Sequence, residues 1–180
     1  MLFYIEELMT KIINLFAGPG AGKSTTAAML FARMKLLGYN CELITEFAKT
    51  LTWQGRQKVL VSNQAYVFAK QLHYLDSVVG QVDYIVTDSP ILLSAIYAPT
   101  TYPTSFQPFV LDIFNRYSNI NFFIQRAKPY NPVGRNQTEG EAAEIDSKIS
   151  IYLYNLNIFH HRILGDENAA LKILEIIKKT

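Results

Sequence analysis

Short apolar runs alternate along this chain with longer segments in which apolar residues recur at helical spacing. The apolar runs have the length of strands that are buried on both faces, and they cover residues 12–16, 41–45, 82–87, 120–124 and 159–164. The helical spacing predicts helices over residues 24–37, 56–79, 105–117, 139–157 and 166–180, whereas residues 91–104 are expected to be irregular. Strands that alternate with helices predict an α/β fold, in which helices cover both faces of a parallel sheet.

The composition is that of a single globular domain. The chain has 180 residues, of which 49% are apolar and 18% charged, so it can bury a substantial core. Its formal net charge of +2 is too small to argue for a nucleic-acid or membrane partner. The single cysteine, Cys41, cannot form an internal disulfide, which suits the reducing cytoplasm.

The first ten residues, MLFYIEELMT, are apolar but contain Glu6 and Glu7. They are too short to span a membrane and lack the basic start of a signal peptide. We interpret residues 1–10 as an N-terminal extension, which is either an added helical turn or upstream readthrough ahead of a start at Met9. The domain itself is then expected to cover residues 11–180.

A glycine-rich turn, AGPGAGKST over residues 17–25, follows the first predicted strand and opens into the first predicted helix. This order is the context that a phosphate-binding loop requires, because main-chain N–H groups and the helix start can then surround a polyphosphate. Lys23 can reach the β- and γ-phosphates, and the Ser24 hydroxyl can ligate Mg²⁺. The residues predicted to bind the nucleotide are Gly18, Pro19, Gly20, Ala21, Gly22, Lys23, Ser24 and Thr25.

The turn departs from the motif G-x-x-x-x-G-K-[ST] at its first position, where this chain has Ala17. Alanine is compatible with most turn geometries unless φ is positive, so we expect alanine in place of the motif glycine to have only a small effect on the loop. The alternative interpretation is a glycine-rich connection that binds no ligand. The flanking strand and helix favour the nucleotide site.

Two acidic residues come directly after predicted strands, and in parallel sheets ligands bind beyond the carboxyl ends of the strands. Asp88 can hold Mg²⁺ and orient the attacking group, or it can cap a helix as part of Asp-Ser-Pro. Glu46 can accept a proton from an acceptor hydroxyl, or it can be a solvated residue that caps the next turn.

Three further side chains are candidates for the acceptor pocket. Trp53 and Tyr66 can line it or belong to the core, and Gln64 can bind a base edge or be an exposed helix residue.

The segment from residue 126 to about residue 138 is polar and cationic. It can act as a lid that closes over the phosphates and neutralises charge during transfer, with Arg126 and Arg135 as the main candidates and Lys128 as the third. The alternative is an ordinary surface loop with solvated cations. Its place after the fourth strand favours the lid.

Four segments together resemble a known family: AGPGAGKST, LITEF, VTDSP and PYNPVGRNQTEGEAAEID. They look like the small P-loop kinases of the nucleoside and nucleotide kinase group, above all ribosylnicotinamide-kinase-like ATPases and related small proteins of tailed phages. The resemblance covers nearly the whole chain from Lys11 onward. It implies a single P-loop kinase-type domain with a five-stranded parallel sheet and a lid loop, which uses ATP with Mg²⁺ and transfers phosphate to a hydroxyl or phosphate acceptor.

The resemblance also implies roles for individual residues. Lys23 and Ser24 match the positions that hold phosphate and metal, and Asp88 matches the carboxylate after the strand. Glu46 is similar to the acidic residue that serves as base in deoxynucleoside kinases, although the tryptophan that closely follows it in that group lies here at Trp53. Arg126 and Arg135 resemble lid arginines.

The leading hypothesis is therefore a kinase that transfers the γ-phosphate of ATP to a nucleoside- or nucleotide-like acceptor. One alternative is a phage-type kinase whose acceptor is a hydroxymethylated pyrimidine within DNA. The other is a nucleotide-dependent switch or ATPase that acts through a protein partner. The acceptor, the preference for ATP over GTP and the choice between monomer and homodimer stay open.

Overall fold

Five parallel strands form one sheet in the order β2-β3-β1-β4-β5. The computed structural model of the protein describes residues 10–133 and 137–179. The strands are β1 (Lys11–Phe16), β2 (Cys41–Ile44), β3 (Tyr84–Thr87), β4 (Ser118–Gln125) and β5 (His161–Leu164). The predicted α/β fold with a five-stranded parallel sheet is confirmed.

Helices cover both faces of this sheet. They are α1 (Lys23–Leu36), α2 (Phe47–Trp53), α3 (Gln57–Ser62), α4 (Gln64–Asp76), α5 (Leu93–Tyr97), α6 (Phe106–Phe114), α7 (Glu139–Asn155) and α8 (Ala169–Ile177). Within the described ranges, no helix is both long enough and apolar enough to cross a bilayer.

Side chains of the central strand β1 point alternately to the two faces, as the pleat of a strand requires. Ile13 and Leu15 pack in a core with α1 and α8. Ile12 and Phe16 pack in the opposite core with α4, α5, α6 and α7. Because both faces are buried, the strand is an almost continuous apolar run, and this explains why it could be predicted from the sequence.

The prediction of a single helix over residues 56–79 is wrong, because the helix is interrupted at Asn63. Helix α3 ends at Ser62 and α4 begins at Gln64. Asn63 has φ −136° and ψ 64°, and its side chain accepts a hydrogen bond from the Tyr66 N–H at 3.0 Å, which caps α4. Apolar residues continue at helical spacing on both sides of this cap, so periodicity could not reveal the break.

Two short helices were not anticipated. Helix α2 follows Glu46 directly, and Gly55, which has a φ of 68°, lies two residues after the helix ends. Helix α5 lies in the stretch 91–104 that was expected to be irregular, ahead of the prolines at 99 and 103. Both helices are shorter than the two turns over which a helical pattern becomes visible.

Of the predicted N-terminal extension, residues 1–9 lie outside the described ranges. Thr10 is buried against the domain, where its Oγ1 donates to the carbonyl of Val82 at 2.6 Å and accepts from the Gly80 N–H at 2.8 Å.

A buried asparagine network fixes the start of β4 against β1. The Asn14 amide donates to Asn119 Oδ1 at 2.8 Å and to Asn121 Oδ1 at 3.0 Å. Asn119 in turn donates to the Phe114 carbonyl at 2.7 Å, and Asn121 donates to the Phe159 carbonyl at 3.2 Å. The network therefore connects two central strands to the end of α6 and to the loop that precedes β5, and a buried amide is costly unless it is satisfied in this way.

We expect Asn14→Val to lower the free energy of unfolding by about 2 kcal/mol, because it leaves the buried Asn121 amide oxygen and the half-buried Asn119 amide oxygen without the Asn14 donor. Urea denaturation measures this loss. The control is Asn155→Ala at an exposed position, which should change stability by no more than about 0.5 kcal/mol. Equal effects of the two substitutions would contradict the role of the network.

Candidate functional site

The phosphate-binding loop predicted at residues 17–25 lies at the carboxyl end of the central strand β1 and leads directly into α1. Two of its residues have positive φ, Gly20 (81°) and Gly22 (102°), and Gly22 immediately precedes the helix. Ala17 is fully buried and does not have positive φ. Alanine is therefore unstrained at the position where the motif has glycine.

Lys23 is the first residue of α1, and its side chain folds back under the loop. The ammonium donates to the carbonyls of Ala17 at 2.7 Å and Gly18 at 2.9 Å. These bonds hold the lysine beneath the main chain that would surround a polyphosphate.

Four charged side chains act on the Lys23 ammonium. Burial lowers the pKa of Lys23, because the charged form loses its hydration. The carboxylates that raise this pKa in opposition are those of Glu46, Asp88 and Asp146, and Arg126 lowers it further. The structure thus brings together four of the five predicted catalytic residues and adds an aspartate that was not predicted.

Asp88 follows β3 directly and is only 3% exposed. Within the described ranges, its Oδ1 is buried and has no hydrogen-bond partner. A buried carboxylate oxygen of this kind is costly unless a ligand, an ion or water satisfies it. The alternative prediction that Asp88 caps a helix is wrong, because α5 begins only at Leu93 and its N-cap residue is Leu92.

The oxygen donors near the loop fit Mg²⁺. Ser24 and Thr25 are exposed in the first turn of α1, and Asp88 supplies a carboxylate on the neighbouring strand. Among the described residues, no three His, Cys, Asp or Glu side chains form a metal-binding group. Mg²⁺ in nucleotide sites is typically bound through one or two protein ligands together with phosphates and water, so this donor set is sufficient.

Glu46 occupies the N-cap position of α2, two residues after β2 ends, and its side chain makes no capping hydrogen bond to that helix. The main chain on both sides of it is held by the buried Gln71 of α4. Gln71 Oε1 accepts from the Phe47 N–H at 3.1 Å, and Gln71 Nε2 donates to the Thr45 carbonyl at 3.3 Å. Gln71 therefore positions Glu46, a role that no local sequence pattern indicated.

Tyr97, at the end of α5, is not among the predicted catalytic residues. Burial raises the pKa of its phenol, and the charges of Glu46 and Asp146 raise it further. Tyr97 thus lies within electrostatic reach of two of the acidic residues that act on Lys23.

The three further candidates for the acceptor pocket have different environments. Trp53 is 63% exposed, so it does not belong to the core. Tyr66 packs edge-on against the buried Phe47, with ring centroids 5.5 Å apart. Gln64 is buried, and its amide donates to the Leu60 carbonyl, which contradicts the alternative that it is an exposed helix residue.

Arg126, the first residue after β4, is anchored to both the phosphate loop and α7. Its Nε and Nη2 donate to Asp146 Oδ2 at 2.9 and 2.8 Å, and its Nη1 donates to the Pro19 carbonyl at 2.8 Å. Nη2 also reaches the Ala142 carbonyl at 3.3 Å. The arginine predicted to sit in a lid therefore touches the phosphate loop directly.

The rest of the predicted lid is described only in part. Tyr130 lies over Gly20, where a Cβ on the glycine would come within 2.8 Å of the tyrosine ring. The Tyr130 hydroxyl donates to the Gln137 carbonyl, which connects two positions of this stretch that are seven residues apart. Lys128 is exposed, and the predicted Arg135 lies outside the described residues.

A turn after β5 approaches the loop from the other side. The Gly165 N–H donates to the Gln125 carbonyl at 2.8 Å. A Cβ on Gly165 would lie 2.5 Å from the Ala21 carbonyl, so only glycine allows this approach.

A sequence profile described as an AAA domain matches residues 12–168. The chain belongs to this AAA-domain family. No curated protein sequence matches it.

Two solved structures share the fold of this AAA-domain protein. A deoxyadenosine kinase from M. mycoides with bound dATP is 18% identical with a TM-score of 0.57, and the alignment covers 93% of this chain and 98% of that one. The same kinase with the products dCMP and a flexible dCDP is 19% identical with a TM-score of 0.56, and 93% and 97% of the two chains are covered. The expected small P-loop fold of the nucleoside kinase type is confirmed.

We expect Gly18→Ala to lower the free energy of unfolding by about 1–3 kcal/mol, as overpacking does. The added Cβ would lie 2.6 Å from the Ala142 carbonyl and 2.9 Å from Asp146 Oδ1, so α7 would have to shift. Thermal and chemical denaturation measure the loss.

Gly140→Ala is the matched control, because in the first turn of the same helix its Cβ would meet no atom of the described residues within 4 Å. It should leave stability unchanged or raise it by up to about 1 kcal/mol. If Gly18→Ala were as stable as Gly140→Ala, α7 would not pack tightly against the loop.

Proposed function

We propose that this AAA-domain protein is a kinase that transfers the γ-phosphate of ATP to a hydroxyl group of a nucleoside-like acceptor. The observation that carries the proposal is the buried Asp88 Oδ1, which has no hydrogen-bond partner among the described residues and lies within electrostatic reach of the Lys23 ammonium under the glycine-rich loop. A buried carboxylate oxygen that lacks a partner, close to a cation and to a glycine-rich loop at a helix start, fits a metal-bound polyphosphate.

The phosphate loop would bind the triphosphate through main-chain N–H groups of residues 20–25, with the start of α1 adding positive potential. Lys23 would exchange its bonds to the Ala17 and Gly18 carbonyls for contacts with the β- and γ-phosphates. Ser24 and Asp88 would hold Mg²⁺, which when bound supplies neutralisation of the charge on the phosphate oxygens.

For transfer, the acceptor would bind on the side of the phosphate loop where Glu46 lies. The acceptor oxygen forms a bond to the γ-phosphorus, the bond from that phosphorus to the β-γ bridging oxygen breaks, and ADP leaves. Glu46 accepts the proton of the hydroxyl, and Gln71 holds the main chain that carries it. Arg126 and Arg135 would stabilise the charge that develops on the transferred group.

The choice of a nucleoside-like acceptor is supported by the fold that the chain shares with the M. mycoides deoxyadenosine kinase. The acceptor side of the site also has an aromatic hydroxyl, Tyr97, near Glu46, which suits a sugar ring with more than one hydroxyl. We further propose that the protein works in the cytoplasm, where the buried, unpaired Cys41 stays reduced.

We expect Lys23→Ala and Asp88→Asn each to reduce phosphate transfer by about 10²–10³-fold, because each removes a charge at the reacting phosphates. Transfer from labelled ATP to a panel of deoxynucleosides, ribonucleosides and nucleotides measures the effect. Lys35→Ala at the far end of α1 and Asp112→Asn on α6 are the exposed controls and should transfer at the wild-type rate. Undiminished transfer in either site variant would contradict the proposal.

The same panel separates the competing functions. Duplex DNA that contains hydroxymethylated pyrimidines is included, and phosphate incorporated only into that DNA would identify a DNA kinase. Hydrolysis of ATP with no product from any acceptor would identify a switch or ATPase. Parallel reactions with GTP determine the donor.

We expect Glu46→Gln to lower kcat by about 10²–10⁴-fold, because an amide cannot take the hydroxyl proton. The Kd for ATP, measured by calorimetry, should remain close to wild type. Glu175→Gln, an exposed position on α8, is the matched control. An unchanged kcat in Glu46→Gln would reject Glu46 as the base and leave the assignment of the phosphate site standing.

A further inference from the structure

The carboxylate of Asp146 joins three parts of the chain that are far apart in sequence. Asp146 lies on α7, whose start is fixed by a capping box between Thr138 and Glu141. Its Oδ1 accepts from the Gly18 N–H at 2.5 Å, and its Oδ2 accepts from Nε and Nη2 of Arg126 at 2.9 and 2.8 Å. Both oxygens are therefore committed to partners on other elements.

Charged side chains bind the main chain of Gly18 at both its N–H and its carbonyl. Its N–H donates to Asp146, and its carbonyl accepts from the Lys23 ammonium at 2.9 Å. A Cβ at this position would come within 2.6 Å of the Ala142 carbonyl, so α7 lies directly against the loop. The position of α7 thus determines where the loop main chain above Lys23 lies.

The Arg126 guanidinium has little freedom to move. Of its five N–H donors, two bond to Asp146, one to the Pro19 carbonyl and one to the Ala142 carbonyl. Only one N–H, on Nη1, makes none of these contacts. The ion pair is largely buried, with 17% and 18% of the two side chains exposed, so solvent screens it weakly.

The charge of Asp146 by itself opposes nucleotide binding. It lies close enough to Lys23 to raise the pKa of that ammonium, so it would also repel the phosphates that Lys23 attracts. A carboxylate that only repelled the nucleotide would be unfavourable in a phosphate site. The bonds it makes point to a different role.

We propose that Asp146 is a positioning residue that holds the Gly18 peptide and the Arg126 guanidinium in one fixed arrangement, so that Arg126 serves transfer as a stationary cation beside the phosphate loop. This inference rests on the proposed kinase function. It differs from a lid mechanism, in which a moving segment would carry the arginine to the phosphates. Arginines of this kind act mainly on the transition state, and small displacements of a catalytic group are costly.

The first test needs no catalytic activity. Hydrogen–deuterium exchange of the free protein is compared for wild type, Asp146→Asn and Glu144→Gln, which removes the same charge two residues away at an exposed position of α7. We expect Asp146→Asn to accelerate exchange about tenfold or more in peptides covering residues 17–22 and 126–130 and to leave β1 and α8 unchanged. Wild-type exchange in both peptides would overturn the proposal.

The second test separates positioning from binding. Asp146→Asn should lower kcat about 100-fold, because Arg126 is no longer fixed, while the Kd for ATP stays within about threefold of wild type or becomes tighter as repulsion is lost. Glu144→Gln should match wild type in both quantities. A loss of ATP affinity as large as the loss of kcat would overturn the positioning role, as would an unchanged kcat.

Two further variants complete the design. Arg126→Lys keeps the charge but cannot make four directed bonds, and it replaces Asp146→Asn in both tests if that variant does not fold. The double variant should transfer no more slowly than Arg126→Lys alone, within about threefold, because the two residues act as a unit. Independent, multiplying losses would overturn the proposal.

The design also separates this inference from the function on which it rests. If wild type transfers phosphate to no acceptor, the proposed function fails and the role of Asp146 in transfer fails with it. The exchange experiment then still decides whether Asp146 fixes the loop and Arg126.

Discussion

The Lys23 ammonium lies beneath the phosphate loop, where it donates to two main-chain carbonyls and is surrounded by acidic side chains. Burying a cation is costly unless opposite charge and hydrogen-bond acceptors compensate for the lost water. The acceptors come from the loop itself, at Ala17 and Gly18. The opposite charges must come from elsewhere in the chain, and this requirement links the parts of the fold that surround the loop.

The topology of the sheet supplies those charges. Strand β1, which leads into the loop, lies between β3 and β4, so the residues that follow these two strands lie on either side of Lys23. Asp88 follows β3, and Arg126 follows β4; Glu46 arrives from β2, one strand further out. Because all strands are parallel, these chain segments meet at one edge, where ligands of such sheets bind. The central position of β1 therefore determines the chemistry of the site.

Some features could be predicted because each depends on only a few consecutive residues: the strands, the glycine-rich loop and the strand-end carboxylates. The residues that hold these features in place could not be predicted from the sequence. Gln71 fixes the main chain around Glu46 from a helix 24 residues away, and Asp146 bonds to a loop residue 128 positions earlier. Asp146 is also one of several acidic residues on α7, and nothing in its local sequence distinguishes it from Glu144. The interruption between α3 and α4 at Asn63 could not be predicted either, because the apolar residues keep their helical spacing across it. Periodicity identifies the buried face of an element, but not which tertiary partner a polar residue of that element will bind.

The glycines of the loop illustrate how a motif serves both a ligand and the protein that carries it. Gly18 has no Cβ because the Ala142 carbonyl and Asp146 occupy that space, and Gly20 has none because Tyr130 lies against it. Both constraints come from this chain, and both exist before any nucleotide binds. Position 17, where the motif has glycine, faces the core without positive φ and accepts alanine. Which motif glycines are required in a given protein therefore depends on the elements packed behind the loop as well as on the phosphate in front of it. Here those elements are α7, which also binds Arg126 through Asp146 and the Ala142 carbonyl, and the segment after β4, which carries Arg126 itself.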